Sequence, residues 1–263
     1  MSPEIQQQLA PTGTLRVGIN LSNFLLVTGK SATGDPQGVA PDMARAIAER
    51  LGVALKLVPF KSPGELADAV GSGAWDIGLI GAEPARAEKI LFSPAYVEIE
   101  ATYLVPAGSP LHTIADVDRP GVRIAVSARS AYDLWLVRNI KQAQLVHADG
   151  IDASFDLFVN EKLDALACLR PKLLGDVEKL PGARILDGQF MAVQQAVGTA
   201  KSNAAGAAFL RDFVEEAKAS GFVASLIARH HVAGLSLAPA MPTLRRDISF
   251  GSIQTGGRYS GTT

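Results

Sequence analysis

The order of the apolar runs constrains this chain more than any other feature, because strand-like and helix-like stretches alternate from Thr14 to Arg86. TLRVGIN, Thr14 to Asn20, reads as a buried strand, and a loop rich in Gly, Ser, Asp and Pro follows it. A helix is predicted from near Pro41, with Ala44, Ile47, Ala48 and Leu51 on one face and Gly52 as its stop. The strand ALKLVPF comes next. Ser62, Pro63 and Glu65 then have the spacing of an N-cap, a first-turn proline and a capping-box glutamate, with Leu66, Ala69 and Val70 turned inward. WDIGLIG is a third strand, and Glu83 and Pro84 open a helix that carries Arg86. This order implies right-handed crossovers and a parallel sheet, whose ligands bind beyond the carboxyl ends of its strands. Arg86 sits at such an end.

The pattern then repeats. Tyr96 to Pro106, YVEIEATYLVP, is a long extended connection leaving the first unit, and VRIAV, SAYDLWLVRNI, QLVHA, SFDLFVN, LDALACL and PKLLGDVEKL alternate as strand and helix. MAVQQAVG, Met191 to Gly198, is a second extended segment that returns the chain. A helix from about Asn203 to Ser220 aligns Leu210, Phe213, Val214 and Ala217, and Gly221 breaks it before FVASLIARH. The predicted fold class is α/β, with two αβ lobes joined by two hinge strands: lobe 1 comprises 1–105 and 195–263, lobe 2 comprises 106–194. The tail from Pro239 lacks helical periodicity, and its end GGRYSGTT is expected to be disordered unless a partner orders it.

Composition narrows the functional classes. Twenty-five Lys and Arg balance 26 Asp and Glu without long runs, which argues against a nucleic-acid or anionic-membrane partner. The single cysteine, Cys168, rules out an internal disulfide and lies in an apolar run, as a buried core thiol would. No stretch approaches a membrane span, and the start MSPEIQQQLAPTG has neither a basic nor an apolar leader region, so either a leader was removed or the protein works in the cytoplasm. His112, His147, His230 and His231 form no HxxxH or HExxH pattern, so no metal site is assigned. GxSxG, P-loop and GxGxxG devices are absent, and no cofactor is expected.

GVAPDMARAIAERLGV, followed by GAWDIGLIGAEPARAEKILFSPAYVE, resembles the polar amino-acid type of bacterial extracellular solute-binding protein, family 3. The similarity runs from about Thr14 to His231. It implies the type 2 periplasmic-binding-protein architecture, hinge closure on a small solute, an ABC permease as partner, and a monomeric, periplasmic, non-enzymatic protein.

The resemblance also implies a ligand site. Arg86 in EPARAEK matches an arginine that pairs bidentately with a ligand carboxylate, a use suited to its planar fork of donors; otherwise it is a surface arginine in a helix first turn. Gly81 closes the strand just before it. Ser130 matches a hydroxyl at a helix N-terminus and serves equally as that helix's N-cap. Arg129 stands where many relatives carry glycine and either adds an anion contact or points to solvent. In NLSNFLL, Asn20 and Asn23 or Phe24 match the first-loop contacts, with Phe24 either a stacking platform or core filler. Leu169 stands where amino-acid binders commonly place the aspartate that holds the ligand ammonium. Glu100, sharing a strand face with Glu98, is the candidate substitute, or else the two are a solvated pair. Gln195 offers an amide to the ligand or a hinge hydrogen bond, with Gln194 facing the other way.

Together these readings predict the substrate-binding protein of an ABC-type importer, capturing a small carboxylate-bearing solute, an amino acid or related organic acid. An alternative is a lyase or dehydratase acting on small carboxylic acids, with Glu83, Glu98 or Glu100 as its general acid. A cytoplasmic ligand-binding or sensor protein is a third. The 13 residues before the first strand are too few for a DNA-binding module ahead of it.

Overall fold

A computed structural model describes residues 2–241. Its first half runs α1 (Pro3–Leu9), β1 (Thr14–Asn20), β2 (Gly29–Lys30), β3 (Pro36–Gln37), α2 (Val39–Leu51), β4 (Ala54–Phe60), α3 (Pro63–Asp68), β5 (Ile77–Gly81), α4 (Pro84–Ala87), β6 (Ile90–Phe92) and β7 (Val97–Val105). After a short 3₁₀ turn (Ile114–Asp116) come β8 (Arg123–Ser127), α5 (Ala131–Asn139), β9 (Gln144–Ala148), α6 (Ile151–Asn160), β10 (Ala165–Leu169), α7 (Arg170–Val177) and β11 (Arg184–Ile185). β12 (Met191–Ala200), α8 (Ala204–Ala219), α9 (Phe222–Arg229) and β13 (Ser236–Leu237) complete the described chain. The tail residues GGRYSGTT lie outside it.

One sheet, in the order β4-β1-β5-β12-β7-β10-β8-β9, runs through both lobes. β1 is central in the first lobe and pairs in parallel with β4 and β5, Val17 lying opposite Leu57 and Ile77. The chain leaves β1 through α2 to reach one side and returns through α3 to the other, so the crossover direction reverses between β1 and β5. β8 repeats this arrangement in the second lobe, with β9 and β10 as its parallel neighbours.

β7 and β12 join the halves. The first residues of β12 pair antiparallel with β7, and its later residues pair with β5 and β6, while the second half of β7 pairs with β10. Each half buries its own apolar core. Val17, Ile19, Ile47, Leu79 and Val214 belong to one, and Ile124, Val126, Leu136, Phe158 and Leu166 to the other. Removing side chains of this size from water contributes about 1.5 to 3 kcal/mol each.

Local signals set several element boundaries. Gly52 caps α2 in the left-handed conformation, φ 70°, and Gly221 does the same before α9, φ 78°. Ser62 Oγ accepts from the Glu65 amide at 3.2 Å, and the Glu65 carboxylate accepts from the Lys61 amide at 3.1 Å. α6 starts at Ile151, before the SFDLFVN run, because Gly150 at φ 108° turns the chain into it. α1 went unread in the sequence, although Pro3 and Glu4 occupy its first turn; buried Leu9 packs against Gly206 of α8, where a Cβ would meet Leu9 Cδ2 at 2.6 Å.

Candidate functional site

Because each lobe has its crossover reversal beside its first strand, the sequence brings four strand ends together. Asn20 ends β1, Gly81 ends β5, Ser127 ends β8 and Leu169 ends β10, and all four line one cavity of about 50 Å³ between the lobes. Arg86, Ser130, Gln195 and Asn23 line it too.

Arg86 is the charged group of this cavity. Its side chain comes from the single turn of α4 directly after β5 and is only 6% exposed. Nη1 donates to the Gly81 carbonyl at 2.7 Å, and Nη2 donates to the Arg129 carbonyl of the other lobe at 2.9 Å. Neither bond is to a carboxylate. Glu83, three residues earlier, is buried but accepts from Arg138 of α5 at 2.5 Å. Burial pushes the Arg86 guanidinium down to about 10, against the opposing field of Glu83, so it stays protonated at neutral pH. A buried cation held by two carbonyls retains three N–H donors and a strong preference for an anion.

The second lobe faces it with a helix N-terminus. Ser130 caps α5: its Oγ accepts from the Asp133 amide at 3.1 Å, which leaves the hydroxyl proton to donate. Ala131 and Tyr132, the next two residues, line the cavity, and their amides belong to the helix turn that lacks intrahelical acceptors. Burial raises the Tyr132 phenol well above its ordinary range, and its hydroxyl lies 3.7 Å from Cys168 Sγ. The neutral polar groups have defined duties. Asn20 Oδ1 accepts from Ser22 N and Oγ at 3.1 and 2.8 Å, and Asn23 Oδ1 accepts from the Leu25 and Leu26 amides, which holds the loop after β1 in a tight turn.

Three sequence-selected residues lie elsewhere. Phe24 is 38% exposed, so it is not core filler, and it does not line the cavity. Glu100 is exposed and accepts from Arg170 Nε at 2.6 Å. The register explains this correction. Val193 and Gln195 line the cavity, whereas Glu98 and Glu100 pair with Gln194 and Ala192, and alternation puts those pairs on the opposite face. Glu98 there accepts from Gln194 Nε2 at 2.9 Å. Arg129 crosses the cleft outside the cavity, donating from Nη2 to Asp68 Oδ1 at 2.7 Å and to the Gly64 carbonyl at 3.3 Å. Its φ of 60° accounts for the glycine that the resemblance places at this position.

Ser22, Pro63, Ser127, Ala131, Tyr132, Ile151 and Val193 line the cavity without having been selected from the sequence. Ser127 was accessible as a strand end, and Val193 from its parity with Gln195; the others depend on how the lobes meet. Among the described residues, no group of three or more His, Cys, Asp or Glu side chains is placed to hold a metal ion, and no helix is long and apolar enough to cross a membrane.

Known proteins resemble this arrangement at several levels. The model of bacterial extracellular solute-binding proteins, family 3, matches residues 15–233. Cyclohexadienyl dehydratase of Pseudomonas aeruginosa is 26% identical over 170 residues, which cover 60% of this chain and 63%, less than two thirds, of that relative. Among solved structures, a variant of ArgBP from T. maritima superposes with a TM-score of 0.69 at 22% identity, covering 88% of this chain and 100% of that one. An amino acid ABC transporter substrate-binding protein of Streptococcus pneumoniae, AbpA bound to L-arginine, gives 0.68 at 22% identity, covering 84% and 96%. The ancestral amino acid-binding protein AncCDT-1, a precursor of cyclohexadienyl dehydratase, gives 0.67 at 22% identity, covering 85% and 97%. At these identities the superpositions establish a shared fold of two αβ lobes, the type 2 periplasmic-binding-protein architecture.

Proposed function

The chain belongs to the bacterial extracellular solute-binding proteins, family 3, and on that premise we propose that it captures a small carboxylate-bearing solute and delivers it to an ABC-type importer from the periplasm. In this reading lobe 1, residues 1–105 and 195–263, of which 2–105 and 195–241 are described, and lobe 2, residues 106–194, turn about the two strands that join them. The carrying observation is Arg86, a buried guanidinium that has no acidic partner among the described residues and borders the cavity between the lobes. A carboxylate there gains charge-assisted bonds from its free donors. The α5 N-terminus and the Ser130 hydroxyl supply further donors from the opposite lobe, so occupancy draws the lobes together.

A thermal-shift panel of small carboxylates tests the reading, because a solute that binds only the folded protein raises its midpoint by mass action. The expected result is stabilisation by a subset of short-chain acids, with a smaller radius of gyration in solution scattering. A folded protein that no acid stabilises or compacts would contradict it.

A dehydratase activity is the second reading, favoured by the Pseudomonas aeruginosa relative. Eliminating water requires a proton donor at the leaving hydroxyl. The titratable side chains bordering the cavity among the described residues are Arg86 and Tyr132, while Glu83, Glu98 and Glu100 are engaged outside it. This inventory supports capture over turnover. Proton NMR of a bound acid incubated with the protein distinguishes the two, since loss of the acid with product formation would establish turnover.

A further inference from the structure

We propose that the captured solute is a short-chain acid carrying a hydroxyl or oxo group, with no ammonium beside its carboxylate; this rests on the carboxylate reading of the Arg86 cavity. The charge inventory carries it. Among the described residues the cavity wall holds one cation and no carboxylate, so a ligand ammonium would enter a positively charged, desolvated space with no anion of the protein to meet it. The acidic groups on the surrounding elements are already held. Glu83 is bound to Arg138, Asp133 accepts from His147 Nε2 and from the Arg129 amide, and Glu100 is bound to Arg170 on the far face of its strand.

Leu169 sharpens the point. It is the N-cap of α7 and makes no side-chain capping bond, at a position where Asp, Asn, Ser or Thr would satisfy a free helix amide. Local chain preference is overridden there by an apolar side chain facing the ligand space. The remaining polar wall is neutral, made of Asn20, Ser22, Asn23, Ser127, Ser130 and Gln195. Asn20 has its oxygen engaged by Ser22, leaving its amide N–H groups, and Ser130 has its oxygen engaged by Asp133 N, leaving its O–H. These donors suit a hydroxyl or carbonyl oxygen, whereas the neutral oxygens of Gln195 and the serines could accept from an ammonium but carry no charge to offset its desolvation. A cavity of about 50 Å³ is small, which favours a short chain.

The test is calorimetry with the matched acids 2-hydroxybutyrate, 2-oxobutyrate and 2-aminobutyrate, on the full chain and on Leu169→Asp and Arg86→Ala. The hydroxy or oxo acid should bind at least roughly tenfold more tightly than the amino acid. Leu169→Asp, which restores a capping residue to α7, should narrow or reverse that preference. Equal or tighter binding of 2-aminobutyrate, abolished by Arg86→Ala, overturns this inference and leaves the carboxylate reading standing. Absence of binding by all three acids and their three- to five-carbon homologues refutes the carboxylate reading, and this inference with it.

Discussion

Replacing Arg138 with alanine should weaken solute capture while leaving both lobes folded, because its partner Glu83 lies in the other lobe. Glu83 is 4% exposed and Arg138 36%, with 2.5 Å between Oε2 and Nη2. Removing one member of a fully buried pair costs about 3 to 5 kcal/mol, but solvent screening of the half-exposed arginine reduces this to roughly 1 to 3 kcal/mol. That penalty falls on the closed state, since separation of the lobes returns Glu83 to water. A released Glu83 also competes with the solute for Arg86, whose charge it already feels. Solute affinity should therefore fall roughly 5- to 150-fold by calorimetry, and the thermal midpoint of the free protein should barely move. Arg138→Lys should recover part of the loss. A variant that loses thermal stability but binds its solute normally would refute the reasoning, because the pair would then support the fold and not closure.

Other residues give separable outcomes. A Cβ on Gly81 would lie 3.0 Å from Ala131 Cβ of the opposite lobe and 3.2 Å from Val193 Cγ1, so Gly81→Ala should prop the cleft open, reduce affinity by roughly tenfold and expand the liganded protein in scattering. Glu100→Gln should change affinity by less than about 0.5 kcal/mol, since its partner Arg170 and its strand face lie away from the cavity. Burial raises the Cys168 thiol to about 11, so the folded protein should resist thiol reagents at pH 8 and react on unfolding. The sign of the linked stability follows from proton counts: between the free thiol's ordinary range and about 11 the unfolded chain loses this proton and the folded one keeps it. That contribution to stability is complete at lower pH and falls as pH rises through the window, which a Cys168→Ala comparison of pH-dependent denaturation would isolate.

The two-lobed fold was legible because strand and helix periodicities alternate and Gly52 and Gly221 mark their boundaries. Asn20 and Leu169 were singled out by the family resemblance, and the strand topology explains why they, like Gly81, end strands at the cavity. Glu100 failed for a physical reason. Alternation reveals that Glu98 and Glu100 share a face but not which face meets the cleft, and only pairing with Gln194 and Ala192 decides it. Phe24 lies in the turn that Asn23 holds and does not line the cavity, a placement that its residue type alone does not reveal. The bridges from Arg129 to Asp68 and from Arg138 to Glu83 join residues of different lobes and have no local sequence signature.

The central claim is that Arg86 anchors a solute carboxylate, and calorimetry of Arg86→Ala and Arg86→Lys with the acid that most stabilises the unsubstituted protein tests it most directly. Truncation of a buried, charge-paired partner should cost about 2 to 5 kcal/mol of binding, or roughly 30-fold to several thousand-fold, with lysine restoring charge but not the planar fork and recovering only part. A folded Arg86→Ala protein that binds the same acid with unchanged affinity would contradict the account.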